Sequence, residues 1–335
     1  MSFKDITSHE REINLLRNAL RSGKISHAYI FSGIDGIGKR LTALTFAKAI
    51  NCKYIEYDSC DKCSSCIKIE KGIHPDVKLI EPDGRYIKID QIRNIKREIY
   101  FRPFEGKKKI YIVDSAEKMN IFASNSLLKI LEEPPSETII ILITSKIDFM
   151  LPTIISRCQK IPFSPIERNN IEKFLIEKSN MDSNISFLMS RIAQGSLNRA
   201  FMFDDRLIDE YKKIVSLING RKSNKMRDIF EFIHYLSGKE RDDLYKILYL
   251  LKLWIRDIII FKELSKEDCL INADIVEDIK NLSKVMDINS LFNMIHVIDN
   301  VEMDLEKNAN IELALDGMMI RFISIREGKG QKIYD

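Results

Sequence analysis

Short apolar runs alternate with amphipathic stretches through the first half of the chain, and after Pro162 the runs stop. Five of them read as strands: Ala28–Ser32, Val77–Ile80, Lys109–Val113, Thr138–Thr144 and a short Gln159–Pro162. Between them the spacing predicts helices, among them Leu41–Ile50, Ile89–Ile99 and Ala123–Glu132. Strands separated by helices in this order predict an α/β domain with a parallel sheet. From Ser164 onward the pattern is helical. Ser164-Pro165-Ile166-Glu167 combines an N-cap, a first-turn proline and a capping-box Glu, so a helix is expected to start there. Gly195 and Gly220 are expected breaks. Three apolar stripes at helical spacing predict the core of a helical bundle: one from Leu244 to Ile258, one from Leu291 to Leu305, one from Leu315 to Ile323.

With 335 residues there is enough chain for two or three domains. Fifty-three basic against 49 acidic residues leave a net charge of +4, too balanced to mark a nucleic-acid binder by charge alone. Leu244 to Ile260 is broken by Lys246, Lys252, Arg256 and Asp257, so no membrane span is expected. Met-Ser-Phe-Lys-Asp lacks the apolar core of a signal peptide, and a cytoplasmic location is the expectation.

The chemistry concentrates in a few places. Gly33-Ile-Asp-Gly36-Ile-Gly38-Lys39-Arg40 follows the first strand and opens a helix, which is the setting of a phosphate-binding loop. Its glycines let backbone N–H groups face a phosphate and Lys39 reaches the outer phosphates. The last position, which should offer a hydroxyl to Mg²⁺, is Arg40. Thr42 would serve instead only if the loop slipped by two residues, which Lys39 opposes. The third strand ends in Asp114, suited to holding Mg²⁺ through water at the carboxyl edge of a sheet. Ser115 stands where many ATPases of this kind carry a Glu that polarises water, and it cannot act as a general base at neutral pH. Glu117, two positions on, is expected to face elsewhere.

Four of the six cysteines crowd into Cys52-x7-Cys60-x2-Cys63-x2-Cys66. In a reducing compartment this reads as a metal site. Four thiolates close a tetrahedral Zn²⁺ shell of the structural kind. The spacing of the last three also matches ferredoxin-type iron–sulfur ligation, though no Cys-Pro follows. His74-Pro75-Asp76 reads as a turn, Lys107-Lys108-Lys109 as a solvated strand end, and Trp254 as packing.

Further on come Leu127-Leu-Lys-Ile-Leu-Glu132-Glu133-Pro134-Pro135 and Ser156-Arg157-Cys158. With Ser26-His27-Ala28-Tyr29, the four cysteines and Val113-Asp114, these stand in one order over about residues 5–165. In that order the chain resembles the bacterial DNA polymerase III clamp-loader subunits of the AAA+ family, above all the delta-prime type. The resemblance implies a AAA+ P-loop domain over 1–163 with a zinc module at about 51–75, a helical lid over 164–208, and a helical collar over 209–330. It implies zinc on Cys52, Cys60, Cys63 and Cys66, and a degenerate nucleotide site of Gly33, Gly36, Gly38, Lys39 and Asp114. Arg157 takes the role of an arginine finger acting in trans on a neighbour's ATP. Asn198 stands where related ATPases carry a second sensor arginine, and Arg199, about 100° round the helix, is a poor substitute. With Arg40 and Ser115 this implies a site that does not turn over Mg-ATP. The implied partners are gamma/tau ATPase subunits, the delta subunit, the sliding clamp and, through the complex, primed DNA. The alternative is an active gamma/tau-like ATPase.

Overall fold

All five apolar runs form strands, β1 Ala28–Ser32, β2 Val77–Ile80, β3 Lys109–Val113, β4 Thr138–Thr144 and β5 Gln159–Pro162. They come from a computed structural model that describes residues 1–219, 226–272 and 275–327. The strands are parallel throughout, in the order β2-β3-β4-β1-β5. Every residue of β3 and β4 is buried. Covered on both faces, these strands carry no polar alternation, which explains their unbroken apolar runs.

The chain divides into two compact units, Met1–Asn180 with Gln194–Asn198, and Met181–Ala193 with the residues from Arg199 onward. The first unit holds the sheet. Its helices are α1 Glu10–Ser22, α2 Lys39–Asn51, α3 Ser64–Glu70, α4 Ile89–Glu98, α5 Ile121–Glu132, α6 Pro152–Ile155 and α7 Arg168–Ser179. On one face of the sheet, Ile92 and Ile95 of α4 and Leu127 and Ile130 of α5 pack into a cluster with Ile30, Val113 and Leu142. Phe46 of α2 meets Tyr29 edge to face, with ring centroids 5.5 Å apart, a contact worth about 1 kcal/mol beyond its buried area. In this sheet the loop after β1 and the acid after β3 both open at the carboxyl edge.

One expected boundary moves. The helix predicted from Ser164 begins only at Arg168, with Glu167 extended as its N-cap. Tertiary contacts hold the preceding residues out of the helix. Ile166 donates its N–H to the Gly195 carbonyl at 2.9 Å, and a Cβ on Gly195 would stand 2.4 Å from Pro165 Cβ. Gly195 has φ of +85°, so it also makes the expected break, and only glycine reaches both conditions without strain.

The second unit is helical. It contains α8 Ser183–Ile192, α9 Leu197–Ala200 from Arg199 on, α10 Asp205–Asn219, α11 Met226–Ser237, α12 Arg241–Leu264, α13 Val276–Val285, α14 Ile288–Glu306 and α15 Ile311–Arg326. The long α12 packs on α10, α13 and α14, and α15 on α11 and α14. Nearly all of the three predicted stripes is buried here; Ile295 and Ile323 are half-buried. Trp254 is fully buried, as packing requires. Gly220 and the collar's last expected residues lie outside the described residues. The stretch expected as a lid, 164–208, is divided between the two units.

A carboxylate that the sequence did not single out fixes one corner of this unit. Asp257 is fully buried, and its Oδ2 accepts the N–H groups of Ile271 and Asn272 at 2.9 and 2.8 Å and the Asn272 amide at 2.8 Å. Arg256 donates to its other oxygen at 2.7 Å. Four donors compensate the charge that burial strips of water.

Candidate functional site

Gly38, at φ +100°, caps α2 in a left-handed conformation and makes Lys39 the first helical residue. Three internal contacts hold the loop. Asn198 donates its N–H to the Gly36 carbonyl at 3.1 Å, His9 Nε2 lies 2.7 Å from the Ile37 carbonyl, and Gly33 donates to the Thr144 carbonyl at 3.2 Å. A Cβ on Gly36 would stand 2.4 Å from Ser196 Oγ and 2.5 Å from Asn198 Cβ, so the loop can pass only as glycine. Asn198 therefore meets the loop through its backbone, while Arg199 lies over the ring of Tyr249, 5.5 Å from its centroid.

Lys39 is 5 % exposed. Its Nζ donates to the carbonyls of Gly33 and Ile34, the latter at 2.7 Å, with Asp35 at 3.9 Å. Burial lowers its pKa, and Asp35, Glu117 and Asp114 act in the opposite direction.

Arg40 sets the character of the site. Its Nη1 donates to Glu81, at the end of β2, and lies 3.5 Å from Asp114 Oδ2, at the end of β3. The acid expected to hold a metal ion thus faces a guanidinium from its own chain. Burial raises the Asp114 pKa, and Arg40 and the Ser115 N–H pull it back down. Thr42 offers no substitute ligand, because it is fully buried and donates its hydroxyl to the Gly38 carbonyl at 3.0 Å. Ser115 sits at φ +54° and turns the chain.

Glu117 has its own partner at the end of β4. The left-handed turn at Ser115 and a short 3₁₀ segment bring it back under the carboxyl edge, where Ser145 Oγ donates to it at 2.9 Å. Its charge opposes the lowering that burial imposes on the Lys39 pKa. A spacing argument that assumed a strand or a simple turn could not find that hydrogen bond.

The four cysteine sulfurs of Cys52, Cys60, Cys63 and Cys66 all lie within 4.8 Å of one another. All four are free thiols. Sulfurs bound at about 2.3 Å around one tetrahedral ion stand roughly 3.8 Å apart, so the cluster fits a metal. Backbone N–H groups already point at the sulfurs: Ile55 to Cys52 at 3.4 Å, Cys63 to Cys60 at 3.3 Å, Cys66 to Cys63 at 3.4 Å. Burial opposes ionisation of Cys63, but N–H donors from Lys53 and Cys66 bring its thiol down to about 6.

Near the cluster, His74 is a spacer and not a ligand. One ring nitrogen lies 3.1 Å from Ser65 Oγ and the other accepts the Asp76 N–H at 3.1 Å. Asp76, missed as a structural acid in the sequence, accepts three N–H groups from Phe104, Glu105 and Gly106 at 2.7–2.8 Å. Lys109, expected to be solvated, is buried and donates to the Glu98 carbonyl at 2.6 Å.

Arg157 follows α6 at the surface. Its Nη2 meets Glu132, the last residue of α5, at 2.9 Å. Its Nη1 donates to the Thr153 carbonyl at 3.0 Å, and the side chain stays 36 % exposed. Cys158 beside it is held neutral by burial, its pKa pushed up to about 12.

Two family models match the chain: "DNA polymerase III, delta subunit" over residues 8–167 and "DNA polymerase III, delta subunit, C terminal" over residues 207–324. The chain is 31 % identical over 329 residues to DNA polymerase III subunit delta' of Bacillus subtilis, covering 96 % of this chain and 98 % of that one. It is 30 % identical to subunit tau of the same organism, over 91 % of this chain and 58 % of that longer protein. A gamma subunit-related protein of Thermotoga maritima superposes over 94 % of this chain and 99 % of its own, with 18 % identity and a TM-score of 0.45.

Proposed function

This chain belongs to the clamp-loader subunit family of DNA polymerase III, and we propose that within it the chain is a delta-prime-type subunit that does not hydrolyse ATP itself. It works in DNA replication as part of a hetero-oligomer, and its contribution to hydrolysis is Arg157, presented to the nucleotide of a neighbouring gamma/tau-type ATPase subunit.

The observation that carries this reading is the pairing of Arg40 with Asp114 and Glu81. A Mg²⁺ ion at the carboxyl edge needs the loop hydroxyl and the strand acid, and here the first is absent and the second is engaged. The residues present do not fit the metal. A guanidinium reaching a neighbour's γ-phosphate stabilises charge as it develops in the transition state. The exposed pair with Glu132 is worth about 1 kcal/mol at most, so exchanging the carboxylate for a phosphate costs little.

In the same reading Cys52, Cys60, Cys63 and Cys66 hold a structural Zn²⁺. Zinc supplies cross-linking of the 52–66 segment, with no open position for chemistry. Residues 1–163 act as the AAA+ domain, 164–208 as lid and 209–330 as collar. The partners are the ATPase and delta subunits, the sliding clamp and primed DNA, in the cytoplasm. No helix among the described residues is long and apolar enough to cross a membrane.

One observation favours the second reading, an active ATPase of the gamma/tau kind: Glu117 is held by Ser145 and its charge acts on Lys39. Arg157→Ala in a reconstituted loader tests the first reading. DNA-stimulated ATP turnover should fall by at least about tenfold, since a trans arginine is worth ~10³ or more at its own site. Assembly should be unchanged by size-exclusion chromatography. Full turnover with Arg157→Ala would remove the finger assignment.

A further inference from the structure

The misfit to Mg²⁺ has a positive side. We propose that Arg40 is the resident cation of the phosphate loop, so that the loop binds the diphosphate of a nucleotide without a divalent metal. The proposal rests on the reading of this site as non-hydrolysing.

Three features support it. First, the cation seat between β2 and β3 is filled from within: Nη1 of Arg40 serves both Glu81 and Asp114. A guanidinium is permanently charged, and a divalent ion brought beside it would be repelled. Second, the two carboxylates engage Nη1 alone, which leaves Nε and Nη2 to turn toward a phosphate. A planar fork of N–H donors suits phosphate oxygens, and a side chain 46 % exposed is free to offer it. Third, the loop holds a buried ammonium whose hydrogen bonds all go to neutral carbonyls, its one ion-pair partner being the exposed Asp35. Lys39 is 5 % exposed and is met at hydrogen-bond distance by neutral carbonyls, with the nearest carboxylate, Asp35, at 3.9 Å. A buried ammonium satisfied only by carbonyls gains by exchanging them for an anion.

The shape of the loop does not wait for a ligand. Gly36 and Ile37 are held through their carbonyls by Asn198 and His9, which fixes the backbone of the loop and leaves its N–H groups outside those bonds. A diphosphate would meet these N–H groups, the Lys39 ammonium and the Arg40 fork.

The test is a titration of the full chain with ADP by calorimetry, once with Mg²⁺ and once with EDTA, with metal analysis of each sample to verify that the cysteine cluster keeps the same zinc content in both. The proposal expects the two dissociation constants to agree within about twofold, and Lys39→Ala to abolish both. Arg40→Ser, which restores a hydroxyl, should weaken binding in EDTA by about tenfold or more and recover it with Mg²⁺. Arg40→Lys, which keeps the charge, should stay metal-independent. Thermal melts of each variant identify any that fail to fold. Wild-type binding that needs Mg²⁺, no wild-type binding of ADP, or an Arg40→Ser variant indifferent to EDTA would each overturn the proposal. Hydrolysis of ATP is followed in the same samples: turnover would remove the non-hydrolysing reading and leave metal-free ADP binding standing as its own result.

Discussion

The cysteine cluster could hold a metal cation, whereas the phosphate loop carries a cation of the chain itself, and the two regions are built in opposite ways. In the cluster, four thiols converge within 4.8 Å and backbone N–H groups point at the sulfurs. In the loop, the acid at the end of β3 is met by Arg40, and the lysine folds back on carbonyls. The difference teaches that ligand-type residues at the right spacing do not make a metal site. What decides it is whether the chain supplies its own cation.

The comparison breaks most readily at the cluster. Cys63→Ser removes one of four ligands and should cost more than about 4 kcal/mol, the range in which loss of a structural metal falls. Metal analysis should show less than one zinc per chain, and thermal unfolding should begin earlier. Stoichiometric zinc with an unchanged melt would mean that Cys63 is not a ligand.

At the loop, the effect on stability is smaller, and its pH dependence sharpens the contrast. Arg40 is 46 % exposed, so its ion pairs contribute only about 1 kcal/mol after screening. Burial raises the Asp114 pKa and Arg40 opposes the rise. An acid whose folded pKa lies above its unfolded value keeps its proton longer in the folded state, so stability falls as pH rises between the two values. Arg40→Ser raises the folded pKa further and deepens that fall. Parent and variant should unfold alike below about pH 3, where the carboxyl is protonated in both states, and diverge by about 1 kcal/mol by neutral pH. Denaturant melts at a series of pH values check this. A difference constant with pH would show that Asp114 does not feel Arg40.

The same contrast explains what could be read from the sequence. The strands are legible to the residue, most clearly β3 and β4, because strands of a parallel sheet covered on both faces demand apolar runs with no alternation. The cysteine cluster is legible because thiols at that spacing have few other uses in a reducing compartment. The loop motif is visible too, and so is the substitution at Arg40, but the partners of Arg40 are not. Glu81 lies 41 residues away and Asp114 lies 74 away in sequence, joined to it only when β2 and β3 align at the sheet edge. The late helix start at Arg168 has the same origin, because Pro165 and Ile166 answer to Gly195 and not to their own capping signal. The hydrogen bond from Ser145 to Glu117 is equally invisible in the sequence, because it follows a turn in which Ser115 takes a left-handed conformation. Asp76 and Asp257 carry no local signature, since each is defined by the backbone N–H groups it receives from a distant loop.

The central claim is that the loop no longer carries out hydrolysis and that the chain's chemistry lies with Arg157. Steady-state ATP hydrolysis by the isolated full-length chain, with Mg²⁺ present, tests it most directly. The account predicts no turnover above the buffer background, and the same null result for Lys39→Ala and Glu117→Gln. Turnover that Lys39→Ala and Glu117→Gln each abolish would contradict it and establish Glu117 as the water-activating base of an active ATPase.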